Sequence, residues 1–267
     1  MKFDHQSFSQ RLKSMLSVDF RRMFTMPLVY IVLGVAAVIP ILVLVMTTSV
    51  GGTTAVDPVT GVETVVEMEP FTNTWQVVES VSGESSGMGA DIMAMCNINL
   101  LFFMAAVLVC IFVADDFRSG YAKNLFTIRA GKADYVISKT LVGIVGGALM
   151  VVSYAVGSVL GGAISGLSFD AGTAGAGGII MCLVSKALLM AVFVPIFLLM
   201  SVVGKQKLWL SMVGSFMVGM LLFMMVPMLT PLDSGPMNIV MCLAGGALFS
   251  AGLGAVSCKV LKGTSLV

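Results

Sequence analysis

The sequence predicts an all-α membrane protein: six transmembrane helices preceded by an amphipathic helix in the membrane interface. Three observations predict it. The chain has 267 residues, 58% hydrophobic and 11% charged, whereas a soluble domain carries about 25% charge and about 45–50% apolar residues. No soluble core hides this much apolar surface, so lipid must cover it. Six apolar runs recur, each long enough to cross the roughly 30 Å of bilayer hydrocarbon that about 20 helical residues span. If these runs alternate, fourteen of the fifteen Lys and Arg residues fall on one side, which the positive-inside bias makes the cytoplasmic side.

Residues 1–26 are expected to form a cytoplasmic N-terminus. Phe8, Leu12, Leu16, Phe20, Met23 and Phe24 recur at spacings of three and four, which puts them on one helical face, and Arg11, Lys13, Arg21 and Arg22 supply the charged side. Such a helix lies in the interface, apolar face down; the simpler alternative is a basic flank that orients the first span. A cleaved leader fits poorly, because no small-x-small site follows closely. The spans are expected near 28–47, 92–114, 140–164, 179–203, 208–229 and 237–258, within a membrane domain of 27–259, and 260–267 is a cytoplasmic tail.

The external loop 48–91 holds seven acids and no base. Asp57-Pro58 and Thr60-Gly61 mark a turn, Val62 to Met68 alternates as a strand or hairpin would, and Phe71 to Ser80 has the makings of an interfacial helix. Its acids either attract a cationic substrate or only keep the loop wet. Gly143 and Gly147 are four apart, as are Gly157 and Gly161, a spacing that lets helix backbones approach within the bundle or at a subunit seam. Pro40, Pro195 and Pro227 sit in or near spans and can kink them.

Three polar residues lie inside apolar runs. Lys186 interrupts the fourth; it either lines a polar cavity or snorkels to the boundary. Asn97 and Asn99 in the second run either pair across helices or contact a substrate. All three are candidate translocation-path residues. The five cysteines sit in or beside apolar runs, with no CxxC pair and with His5 as the lone histidine, so neither a disulfide frame nor a metal site is expected. No phosphate-binding loop, HExxH or Gly-x-Ser-x-Gly occurs, so neither catalysis nor a cofactor is expected in this chain. The basic residues form no patch with interleaved aromatics, which argues against nucleic acid. Nearly acid-free spans argue against proton- or sodium-driven transport, so energy must come from elsewhere or the protein is passive.

The longest mixed-charge interruption of the second half runs from Ala114 to Lys139 and carries five bases: Arg118, Lys123, Arg129, Lys132 and Lys139. Asp115 and Asp116 end the second run; Gly120-Tyr121 follows, then Leu125-Phe126, the turn Arg129 to Lys132, and Lys139 opening the third span. This spacing resembles the ABC type-2 exporter permeases, in which an acid near the end of the second span precedes Gly-Thr, an apolar pair, a Pro-x-Ser-Arg turn and a Lys. Here Asp stands for the usual Glu, Tyr121 replaces the Thr and the turn lacks its Pro. The layout of interfacial helix, six spans and large first external loop resembles the family as well.

The resemblance implies a permease subunit of an ATP-driven exporter in the cell membrane, both termini cytoplasmic, paired with a second copy or homologue. It implies docking to separate ABC ATPase subunits, which would carry the ATP and magnesium. Loop 115–139 would hold the ATPase-coupling residues, with a coupling helix around Asp116 to Arg129. The family exports peptides, drugs, lipids or polysaccharides, and the expectation here is peptide or drug efflux, bacteriocin immunity included. The rivals are a stand-alone ion-coupled transporter or channel, and a non-transporting membrane scaffold or sensor.

Overall fold

The computed structural model describes residues 8–49, 53–56, 63–66, 71–79, 97–128, 131–170, 172, 175–205, 207–223 and 225–263. Five of its helices are long and apolar enough to cross a bilayer, which makes this a helical membrane protein. They are α2 (Pro27–Ser49), α3 (Leu100–Arg118), α5 (Lys132–Ser165), α6 (Gly175–Gly204) and α9 (Pro236–Gly263). Around them lie α1 (Phe8–Thr25), the short α4 (Tyr121–Ile128), the apolar α7 (Leu208–Phe223) and the single turn α8 (Val226–Leu229).

The expected fifth run, 208–229, is broken rather than continuous. α7 ends at Phe223 after 16 residues, about 24 Å of rise. α8 restarts with Pro227 in its first turn, where a missing N–H costs nothing. The second run also shifts: α3 begins at Leu100 and continues through Asp115, Asp116 and Arg118. The third is longer than its apolar part, because α5 includes the polar turns from Lys132 to Lys139. Helix geometry therefore extends well into the stretch that polarity alone marks as loop.

Packing follows the small residues. A side chain at Gly157 would collide with the Ala37 carbonyl and the Pro40 ring, and one at Gly161 with the Ile41 backbone. These two glycines seat α5 against α2. Gly143 and Gly147, nearer the start of the same helix, face Val194 and Met190 of α6. The two glycine pairs thus serve two internal interfaces, and bundle packing is their role. Because Val194 opposes Gly143 and Met190 opposes Gly147, α6 runs antiparallel to α5. Lys132 Nζ donates to the Leu261 carbonyl at 2.6 Å, which brings the end of α9 beside the start of α5. One end of the bundle therefore gathers the start of α5 and the ends of α3, α6 and α9.

Two short strands, β1 (Thr53–Val56) and β2 (Glu63–Val66), pair antiparallel with Thr53 opposite Val66, as the alternation from Val62 to Met68 suggests. The expected helix over Phe71 to Ser80 is only a 3-10 turn at Thr74–Val77, capped by Asn73 and Gln76. It docks on protein rather than lying free in the interface. Val77 and Val78 are buried, Tyr154 OH donates to the Val77 carbonyl at 3.1 Å, and Trp75 Nε1 donates to the Phe169 carbonyl at 3.2 Å.

Candidate functional site

Helix α1 forms where the periodicity places it, but its inward stripe has a charge at its centre. Met15, Asp19 and Met23 are buried, Leu16 and Phe20 pack beside them, and Phe8 and Phe24 remain exposed. Asp19 is fully enclosed. Its Oδ2 accepts from Ser138 Oγ at 2.6 Å and its Oδ1 from Lys139 Nζ at 2.9 Å. Lys139 Nζ also lies 2.7 Å from Asp116 Oδ2 and 3.7 Å from the centre of the Phe112 ring. Asp116 is equally enclosed; Tyr135 OH donates to its Oδ2 at 2.9 Å and Arg22 Nη1 to its Oδ1 at 2.5 Å.

Two buried carboxylates and two cations thus knot α1, α3 and α5 together. Removing such charges from water is expensive, and the arrangement holds because every oxygen of both acids has a donor. Breaking such a pair from one side is strongly destabilising even where its net contribution to stability is small. Arg11 Nε to Asp134 Oδ2, 3.3 Å, ties α1 to α5 a second time.

The knot reaches α4 through Tyr121. The Arg22 guanidinium lies 4.2 Å from the centre of that ring and its Nη2 is 3.3 Å from Asp115 Oδ2. Burial, then the charges of Asp19 and Asp116, push the Tyr121 phenol above its ordinary range, so the ring stays neutral. For Arg22, burial opposes the charge most strongly, but Asp116, Tyr121 and Asp19 together leave the guanidinium pKa raised. Phe126 meets Tyr135 edge-on at 5.3 Å, Leu125 packs on the core and Ala122 is buried. Lys123, Asn124 and Thr127 face outward. α4 is therefore a separate amphipathic helix, moored on one side and open on the other.

Gly120 supplies the corner between α3 and α4, at φ +72°. Among the described residues a Cβ there would meet nothing within 4 Å, so the expected cost of a substitution is the left-handed backbone. We expect Gly120→Ala to lower the unfolding free energy by about 1–2 kcal/mol, and Gly120→Asn by less, in equilibrium unfolding in detergent micelles.

Of the residues expected in the coupling loop, the structure brings together Asp115, Asp116, Tyr121, Phe126 and Lys139. Arg118 is exposed, Lys132 turns to α9, and Arg129 lies outside the described residues. Asp19, Arg22, Tyr135 and Ser138 are additions. An acid spaced by four from Met15 and Met23 is the one sequence signal that points to Asp19.

The second group of expected residues forms a cluster of its own. Lys186 lies eleven residues into the 30-residue α6 and is fully enclosed, so it does not snorkel to lipid. Its Nζ donates to Thr230 Oγ1 at 3.1 Å and, more weakly, to Asn99 Oδ1 at 3.5 Å. Asn97 Oδ1 accepts from the Asn99 N–H at 2.9 Å. Asn99 thus pairs across helices, and the start of α3, the middle of α6 and the end of α8 meet at one ammonium.

The chain matches no protein-family model, no curated protein and no solved structure. The functional reading rests on the residues above.

Proposed function

We propose that the chain is the membrane permease of an ATP-driven exporter, pushed through α4 by a separate ATPase subunit and working by alternating access. The observation that carries this reading is α4 itself: eight residues hung between two long helices, its inner side moored to the charge knot and its outer side polar. A rigid-body push on such a helix passes directly to α3, α5 and α1. Charges on its outer side would fix register in a partner and tune the encounter rate.

In this reading the six apolar segments all cross, and the segregation of basic residues puts α4 and both termini in the cytoplasm. The permease pairs with a second copy or a homologue. Peptides, drugs or other amphiphiles are the expected cargo. An apolar groove of about 550 Å³ between α5 and α6 supports that class; Val156, Leu160 and Val184 wall it and Trp75 stands at its end. The enclosed Lys186 favours a second reading, a stand-alone ion-coupled transporter, because ionisable groups within a membrane commonly mark ion pathways.

The test is reconstitution with an ATPase subunit, sought among the reading frames adjacent to this one. Lys123→Glu reverses one outward charge of α4 without touching the knot. We expect it to cut permease-stimulated ATP hydrolysis by about tenfold, since close charge pairs across an interface couple by about 1.5 kcal/mol or more, while leaving membrane insertion unchanged. Hydrolysis equal to wild type would reject the coupling role. Gradient-driven flux by the chain alone would favour the second reading.

A further inference from the structure

Three lysines gather at one end of an apolar groove that the transport reading leaves unused. The groove, about 380 Å³, runs between α5 and α9; Ala133, Val136 and Ile144 wall it on one side and Ala251, Ala255 and Cys258 on the other. Residues four apart share a helical face, so the walls themselves place the lysines. Lys132 stands one turn before Val136, Lys259 one turn beyond Ala255 and Lys262 one turn beyond Cys258. Contacts agree with that placement. Lys132 Nζ donates to the Leu261 carbonyl across the seam, and the charge of Lys262 acts on the Cys258 sulfur. Lys259 and Lys262 are exposed, and the Lys132 ammonium has two protons beyond the one it gives Leu261. Nothing acidic opposes them: α9 carries no Asp or Glu, and Asp134 is buried and paired with Arg11. Among the described residues none of the three lysines has an ion-pair partner.

Both wall helices are long and apolar enough to cross a bilayer. The charges in this part of α5, Asp134 and Lys139, are buried among α1 and α3, so its face on the groove is apolar from Ala133 onward. From Ala133 to Ile144 the groove follows roughly 16 Å of helix rise, about half of the roughly 30 Å of bilayer hydrocarbon. That is the depth of one leaflet. A partner helix would need a seam along the whole span, and this one stops halfway. We propose that the groove binds an anionic phospholipid, one acyl chain lying along it and the phosphate held by Lys132, Lys259 and Lys262. Basic pockets between membrane helices recognise anionic headgroups in this way. The phosphate bridges lysines of both helices and so ties the end of α9 to the start of α5. The inference uses the membrane fold alone and holds whether or not the chain is a permease.

The experiment is native mass spectrometry of the full chain, released from micelles after titration with phosphatidylglycerol or with phosphatidylcholine of the same acyl chains. Wild type is expected to retain one phosphatidylglycerol at a concentration about tenfold below that needed for phosphatidylcholine, since each lysine near an anionic headgroup is worth about fivefold in affinity. Lys259→Gln combined with Lys262→Gln should remove that preference. Lys205→Gln combined with Lys207→Gln takes the same charge from the corner between α6 and α7 and should leave it intact. Ala255→Trp fills the groove, keeps every lysine and should abolish retention of the phosphatidylglycerol. All five positions are exposed, so each variant is expected to melt cooperatively. Equal retention of the two lipids by wild type overturns the proposal. So does a preference that survives in the Lys259 and Lys262 variant, or one that falls as far in the Lys205 and Lys207 variant, which would mean diffuse charge attraction. A lipid-free dimer that Ala255→Trp splits also overturns it and gives the groove to a second copy. None of these measurements involves an ATPase, so their failure is separate from failure of the Lys123→Glu assay.

Discussion

Replacing Lys139 by Met is expected to destabilise the chain by about 3–5 kcal/mol, the usual cost of breaking a buried ion pair from one side. Lys139 is the cation that Asp19 and Asp116 share. Without it Asp116 keeps Arg22 and Tyr135, but among the described residues Asp19 keeps the Ser138 hydroxyl as its hydrogen-bond donor and loses its direct ion-pair partner, leaving the charge of Arg22 as a weaker compensation. The double variant Asp19→Leu with Lys139→Met should therefore recover much of the loss, because it removes both charges together. Equilibrium unfolding in mixed micelles, run as a double-mutant cycle, checks this. Strict additivity of the two substitutions would show that the pair does not act as a unit.

Gly157→Val is the second large effect. A Cβ at this position would overlap the Ala37 carbonyl, which is backbone and cannot rotate away. The helices must then separate, or one must shift along the other. Overpacking costs about 1–3 kcal/mol in well-packed cores. The upper part of that range is expected here, because α2 reaches the rest of the bundle mainly across this surface. Gly252→Val, on α9, has nothing among the described residues within 4 Å to meet and should change stability by less than about 0.5 kcal/mol, as open surface positions do. Thermal melting of both variants in one lipid composition separates close packing from a general intolerance of valine in place of glycine.

Hydropathy reads the long helices well, because a bilayer leaves few other ways to satisfy a backbone. α2, α6 and α9 lie within a few residues of their expected limits. The polar stretch from Ala114 to Lys139 was harder to read, because polarity marks where a chain leaves lipid and not where a helix stops. Asp116 and Lys139 look like exposed loop charges in sequence. In the fold they are among the most enclosed groups, for a reason the local sequence does not carry: their partners Asp19 and Arg22 lie roughly a hundred residues away on α1. Lys186 shows the same limit. Its sequence leaves lipid boundary and interior equally open, and the fold places it inside, against Asn99 and against Thr230 at the end of the broken fifth segment.

The claim on which the account depends is that α4 faces the cytoplasm with its outer side free to be gripped. A cysteine placed at Lys123 and probed with a membrane-impermeant maleimide, against the parent chain as background, tests it directly. The account predicts labelling in inverted membrane vesicles and none in intact cells, with protection in the vesicles once the ATPase subunit is bound. Labelling from outside intact cells would contradict it.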